Sequence, residues 1–239
     1  MGSNGMRLIL FDIDGTLLSC GAQIRPLFAA ALTEVFGADP LPVPGAVEDA
    51  LHRHDFAGKT DSRSVLELMV GAGRDEREVR SALPAMRDAF ARHLERGLRR
   101  EEMELMPRVV ELLEELRRRD HLSLALLTGN WEPSGRIKLS RFDLNRYFAF
   151  GAFGEDAEDR PDLVPVVLER AARLTGEALG PEDALIIGDT CRDVECGRAH
   201  GVATLAVATG GTPAEELRAA GADWVIEDLG RVAEVVPGL

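Results

Sequence analysis

Leu8-Ile9-Leu10-Phe11-Asp12-Ile13-Asp14-Gly15-Thr16-Leu17 is the stretch that orders everything after it. Four consecutive apolar residues are too few for a helix and suit a strand buried on both faces of a parallel sheet. The run stops at two carboxylates. Side chains two residues apart in an extended chain point to the same side, so Asp12 and Asp14 address one site. Comparable apolar runs recur at 122–127, 147–153, 184–187, 202–207 and, more weakly, 224–226. Helical patterns lie between them, at 107–119, 133–141, 163–174, 193–200 and 213–220. In the first, Val109, Leu112, Leu113 and Leu116 follow the i, i+3, i+4, i+7 spacing of one apolar face. This alternation predicts an α/β fold, a doubly wound Rossmann-like parallel sheet with right-handed crossovers.

Residues 20–100 interrupt the alternation with amphipathic helical patterns and no convincing strand. They are expected to form an all-helical domain inserted into a core made of 1–19 and 101–239. The run Pro40-Leu41-Pro42-Val43-Pro44-Gly45 predicts a rigid loop, and Gly71-Ala72-Gly73 a turn between helices.

Composition narrows the function classes. The 239 residues are 45% hydrophobic and 29% charged, an ordinary globular balance. The net charge of −13 is opposite to the footprint of a nucleic-acid binder and repels anionic lipid surfaces. Three cysteines without CxxC spacing argue against a disulfide framework. No apolar run approaches the ~20 residues of a membrane helix, and 1–6 lack a basic-then-apolar leader pattern. A cytoplasmic protein is expected, a monomer or homodimer acting on a small metabolite.

In open α/β sheets ligands bind beyond the carboxyl ends of the strands. Three predicted strands end suggestively: in Asp12 and Asp14, in Thr128-Gly129-Asn130, and in Gly188-Asp189-Thr190 with Asp193 four residues after Asp189. Clustered carboxylates are costly unless one is protonated or a cation sits between them. Mg²⁺, a hard ion with oxygen ligands, resolves the repulsion. An ionised Asp needs no base to act as a nucleophile, and a metal ion removes its repulsion from a phosphoryl group. Asp12 is therefore the candidate nucleophile and Asp14 the candidate acid/base. Thr128 and the backbone after it are placed to stabilise phosphoryl oxygens.

In order, Asp12-Ile13-Asp14-Gly15-Thr16-Leu17, Thr128-Gly129-Asn130 and Gly188-Asp189-Thr190-Cys191-Arg192-Asp193 resemble the first, second and fourth motifs of the haloacid dehalogenase superfamily. The helical insertion resembles the cap of its phosphoglycolate-phosphatase-like branch. The resemblance covers nearly the whole chain. It implies Asp12 as nucleophile and Asp14 as acid/base. It places Mg²⁺ on Asp12, the backbone carbonyl of Asp14 and Asp189, with Asp193 supporting the metal shell. Thr128, Gly129 and Asn130 would hold the phosphate. Phe56-Ala57-Gly58-Lys59-Thr60-Asp61 is similar to a cap segment that helps choose the substrate, which makes Lys59 a candidate contact. The third motif of the family is a Lys, whereas the aligned segment here is Arg160-Pro161-Asp162. Arg is a planar fork, not a point charge. Lys138, ten residues after Thr128 and expected near the start of the following helix, competes with Arg160 and is slightly preferred. An Asp at position 14 favours phosphate-ester hydrolysis over dehalogenation or phosphonate cleavage.

Blander readings stand beside these. Asp193 complements a helix dipole as well as a metal. Lys59 and Asp61 suit an exposed surface pair as well as a substrate contact, and His52 and His54 read as surface residues. The expected activity is a Mg²⁺-dependent phosphatase working through an aspartyl-phosphate. A phosphomutase sharing that intermediate and a binding protein on a catalytically retired core are the rivals.

Overall fold

The structure is a computed structural model that describes residues 7–37, 46–236 and 239. The predicted loop at 40–45 and the N-terminal hexapeptide lie outside the described residues.

Six strands form one parallel sheet: β1 (Leu8–Phe11), β4 (Ser123–Leu127), β5 (Gly151–Ala152), β6 (Ala184–Gly188), β7 (Ala203–Val207) and β8 (Trp224–Ile226). Their spatial order is β5-β4-β1-β6-β7-β8. Numbered within the sheet alone this is 3-2-1-4-5-6, the Rossmann order. β1 is central, hydrogen-bonded to β4 on one side and β6 on the other.

Period-two alternation feeds two separate cores from each central strand. Ile9, Phe11, Leu124, Leu126, Leu185 and Ile187 pack into one. Leu8, Leu10, Ala125, Leu127, Ala184 and Ile186 pack into the other. This is why the strands are almost continuously apolar. The first core takes the apolar stripe of α5 (Val109–Arg117), namely Val109, Leu112, Leu113 and Leu116. The second takes Leu163, Val164, Val167 and Ala171 of α7 (Leu163–Thr175). Burying side chains of this kind contributes about 1.5–3 kcal/mol each, and all four residues of β1 are fully enclosed.

The chain leaves the sheet through β2 (Leu18–Ser19) and returns through β3 (Glu104–Leu105), which pair antiparallel. Among the described residues, the α-helices between them are α1 (Ile24–Phe36), α2 (Ala46–Arg53), α3 (Asp61–Gly71) and α4 (Glu76–Gly97). α1 and α4 share an edge-to-face contact between Phe28 and Phe90, ring centroids 5.0 Å apart. Such aromatic pairs add to simple area burial. The remaining helices are α6 (Glu132–Ser140), α8 (Cys191–His200), α9 (Ala214–Ala220) and α10 (Val232–Val235).

One predicted strand is shorter than expected. The apolar run at 147–153 yields only Gly151–Ala152, because Leu144–Tyr147 coils into a 3₁₀ turn. Tyr147 and Phe148 still face the first core, so burial rather than pairing explains their character. Lys138, expected near the start of its helix, sits in the last turn of α6.

Candidate active site

The chain builds outward from β1 to β4 and β5, then returns to the other side of β1 to place β6. That reversal opens a crevice at the carboxyl ends of β1 and β6, where Asp12 and Asp189 stand. The Asp12 amide donates to the carbonyl of Ile187 at 3.0 Å, which locks the two strand ends together. Gly15 follows with φ +84°, and a Cβ there would lie 2.3 Å from Oδ2 of Asp189. Only glycine both turns the chain and admits that carboxylate. Thr16 Oγ1 then donates to Asp189 Oδ1 at 2.9 Å, a contact sequence reasoning missed.

Asp193 belongs to the N-terminal turn of α8. Its carboxylate accepts from the amide and hydroxyl of Thr190, and the Thr190 hydroxyl accepts from the Asp193 amide, a closed capping box. This reciprocal cap holds the second oxygen toward the crevice. Carboxylate oxygens of Asp12, Asp189 and Asp193 lie within 4.8 Å of one another, all buried. The helix-dipole and metal-shell expectations for Asp193 are thus compatible in one geometry.

Arg160, in the 3₁₀ turn before α7, reaches the cluster. Its Nη2 stands 3.0 Å from Asp12 Oδ1 and donates to Asp193 and to the Leu127 carbonyl. Three buried carboxylates facing one guanidinium leave an uncompensated negative charge. Burial pushes Asp12 up to about 6, opposed by Arg160 and reinforced by Asp193 and Asp14. Burial, with Asp12 and Asp193, pushes Asp189 up to about 8. An all-oxygen donor set carrying this penalty fits a hard divalent cation, which would relieve it.

Lys138 serves a different carboxylate. Its Nζ donates to Asp14 Oδ2 and to Asn130 Oδ1, both at 2.6 Å. Asn130 Nδ2 donates to Asp14 Oδ2 at 2.8 Å and to Thr128 Oγ1 at 2.9 Å. Burial alone would lower the Lys138 ammonium, but the charge of Asp14 foremost holds it above its ordinary value. The two candidate cations therefore divide: Arg160 meets Asp12 and Asp193, and Lys138 meets Asp14.

The segment before α3 docks directly on the core. The Asp61 amide donates to the Gly129 carbonyl at 2.7 Å. The Asp61 carboxylate accepts from the Trp131 amide at 2.9 Å and from Ser134 Oγ at 3.1 Å. Trp131 Nε1 donates to Ser62 Oγ, which donates to the Gly154 carbonyl. A Cβ on Gly129 would lie 2.0 Å from the Lys59 carbonyl oxygen, so glycine is required for the approach. Asp61 is thus no surface residue: it ties the helical insertion to the sheet. Lys59 donates to Glu67 at 2.6 Å. His54, also expected at the surface, has a side chain only 8% exposed and packs edge-on against Phe56. The enclosure of Asp61 was not legible in the residue pattern, because its partners Gly129, Trp131 and Ser134 are distant in sequence.

A cavity of about 1330 Å³ opens between the carboxylate cluster and α1 and α2. Asp12, Asp14, Thr128, Gly129, Asn130, Lys138, Arg160, Asp189 and Lys59 all line it. Among the described residues no helix is long and apolar enough to cross a membrane.

The family model for haloacid dehalogenase-like hydrolases matches residues 9–207. The chain belongs to that family and is a hydrolase of it. Among curated relatives, it is 29% identical to phosphoglycolate phosphatase 1 of Pseudomonas aeruginosa, over 85% of this chain and 70% of that one. It is 27% identical to phosphoglycolate phosphatase of Synechococcus elongatus, over 98% and 99% of the two chains. A haloacid dehalogenase-like hydrolase of Bacteroides fragilis shares the fold at a TM-score of 0.68 and 22% identity, covering 95% of this chain and 99% of that one.

Proposed function

We propose that this protein is a Mg²⁺-dependent phosphatase that hydrolyses a small phosphorylated metabolite through a phosphoryl group carried on Asp12. The observation that carries it is the gathering of Asp12, Asp189 and Asp193 within 4.8 Å at the mouth of the sheet, with Asp14 lining the same cavity. The relatives named phosphoglycolate phosphatase support the same chemistry.

Asp12 and Asp189, with the backbone carbonyl of Asp14, would hold Mg²⁺, and Asp193 would support them. When bound, the ion supplies the charge neutralisation that lets one anion approach another. The chain's own residues do the rest. An Asp12 carboxylate oxygen bonds to phosphorus as the phosphorus–alkoxide bond breaks, and Asp14, entering this step protonated, passes its proton to the departing oxygen. Water then attacks the same phosphorus, Asp14 takes its proton, and Asp12 leaves as carboxylate with release of inorganic phosphate. Arg160 holds Asp12 in place, filling the third-motif role. Lys138 and Asn130 orient Asp14. Thr128 and the backbone beyond it face the phosphoryl oxygens, where donors matter most as charge develops. Residues 20–100 act as the cap that excludes water from the reacting centre.

Purified protein is expected to release phosphate from p-nitrophenyl phosphate in Mg²⁺, to stop in EDTA, and to be inactive as Asp12→Asn. Ordinary turnover by Asp12→Asn would remove Asp12 from the mechanism. Release of free phosphate, rather than transfer to an added sugar phosphate, separates the hydrolase from a mutase.

A further inference from the structure

Three cations in the cavity wall are already neutralised by carboxylates: Lys59 by Glu67, Lys138 by Asp14, and Arg160 by Asp12 and Asp193. Arg25, on the first turn of α1, lines the same cavity. Among the described residues no carboxylate lies within ion-pair distance of it. Its Nη1 donates to the carbonyls of Leu51 and His54, and its Nη2 to that of His54. Its guanidinium lies over the Phe56 ring, 5.0 Å from the centroid. These contacts hold the planar group in place between α1 and α2 without cancelling its charge. Its Nε–H and one Nη2–H keep no acceptor among the described residues. In a chain of net charge −13, a positioned cation with no acid beside it among the described residues, inside the reaction cavity, is an open anion receptor.

We infer that Arg25 is the specificity-determining residue for the leaving group: it receives an anion, of the carboxylate type, on the organic part of the phosphate ester. This rests on the phosphatase reading of the site and deepens it. It also moves the recognition role expected of Lys59 to Arg25, because Glu67 already satisfies Lys59. Arg25 and the carboxylate cluster line the same cavity, so the inferred substrate is a phosphate monoester whose second anion meets Arg25 while its phosphate meets Asp12.

Two size-matched pairs test it: 3-phosphoglycerate against glycerol 3-phosphate, and 6-phosphogluconate against sorbitol 6-phosphate. Members of each pair differ chiefly in a carboxylate against a neutral group. The measured quantity is the ratio of kcat/KM within each pair, for the natural chain, Arg25→Met, Arg25→Lys and Lys59→Met. The natural chain is expected to prefer the carboxylate member by about tenfold or more in at least one pair, the scale of a charge-assisted hydrogen bond. Arg25→Met should collapse that ratio toward one, Arg25→Lys should restore part of it, and Lys59→Met should leave it standing. A purely structural role for Arg25 would lower both members equally and preserve the ratio, and that result overturns the inference. So does a natural chain that turns over both members alike. Absence of phosphate release from every ester, p-nitrophenyl phosphate included, overturns the phosphatase reading itself and this inference with it.

Discussion

Arg160 Nη2 stands 3.0 Å from Oδ1 of Asp12 and bonds Asp193 as well, so one buried guanidinium joins the tip of β1 to the first turn of α8. Both carboxylates are almost wholly enclosed. Removing a partner from a buried ion pair leaves an uncompensated charge and costs about 3–5 kcal/mol. Arg160→Met is therefore expected to lower stability by that order in metal-free buffer, and to cut kcat by roughly 10²–10³, the scale of losing one electrostatic stabiliser. Arg160→Lys keeps the charge and should retain far more activity. Urea unfolding and steady-state kinetics of the two variants check this.

The acidic triad should make metal binding visible without any substrate. A ligand held only by the folded state adds about 2.7 kcal/mol at one hundred times its Kd. For a chain of this size that is a rise in Tm of roughly 5–10 °C. Mg²⁺ should produce such a rise by differential scanning fluorimetry, and Asp189→Asn should abolish it. An equal rise in the variant would place the ion elsewhere.

Asp61 gives a pH signature. Withdrawal from water pushes its carboxyl up to about 6, against the pull of Lys138. Between about 3.8 and 6 the folded state then holds more protons than the unfolded chain, so its contribution is greatest at low pH and is lost as pH rises through 6. The span corresponds to about 3 kcal/mol. The Asn side chain keeps an acceptor for the Trp131 amide and carries no charge. Asp61→Asn should therefore gain stability over the natural chain as pH climbs from 4 to 7, read from urea midpoints across that series.

Gly129 is where the insertion meets the sheet most closely. An added methyl would lie 2.0 Å from the Lys59 carbonyl oxygen, and backbone cannot yield there as a flexible side chain would. Gly129→Ala should lift the 56–62 segment off the core, seen as faster hydrogen exchange of its amides and a loss in kcat/KM of tenfold or more. Unchanged exchange would show that the contact is dispensable.

Much of this was legible in residue order. The apolar runs ending in Asp12, Thr128 and Asp189 announce parallel strands because a strand buried on both faces has no polar alternation to hide. The carboxyl ends of such strands share one edge of the sheet, so the candidate site followed from the topology. The apolar run at 147–153 predicts a longer strand than Gly151–Ala152 because Tyr147 and Phe148 are apolar for burial under the sheet, and apolarity alone does not distinguish packing from pairing. The duties of Lys138 and Arg160 were not separable in one dimension: both are cations near the site, and only their distances to Asp14 and Asp12 tell them apart.

By itself the amino-acid order determined the α/β layering, the helical insertion and the acids at strand ends, since each is written in local periodicity and in the chemistry of neighbouring residues. Tertiary structure alone decided that Glu67 neutralises Lys59, that Asp61 fastens the insertion to the loop after β4, and that Arg25 stands in the cavity with no acid beside it among the described residues. Charge pairing depends on distances between residues far apart in the chain, and those distances exist only once the helices have packed.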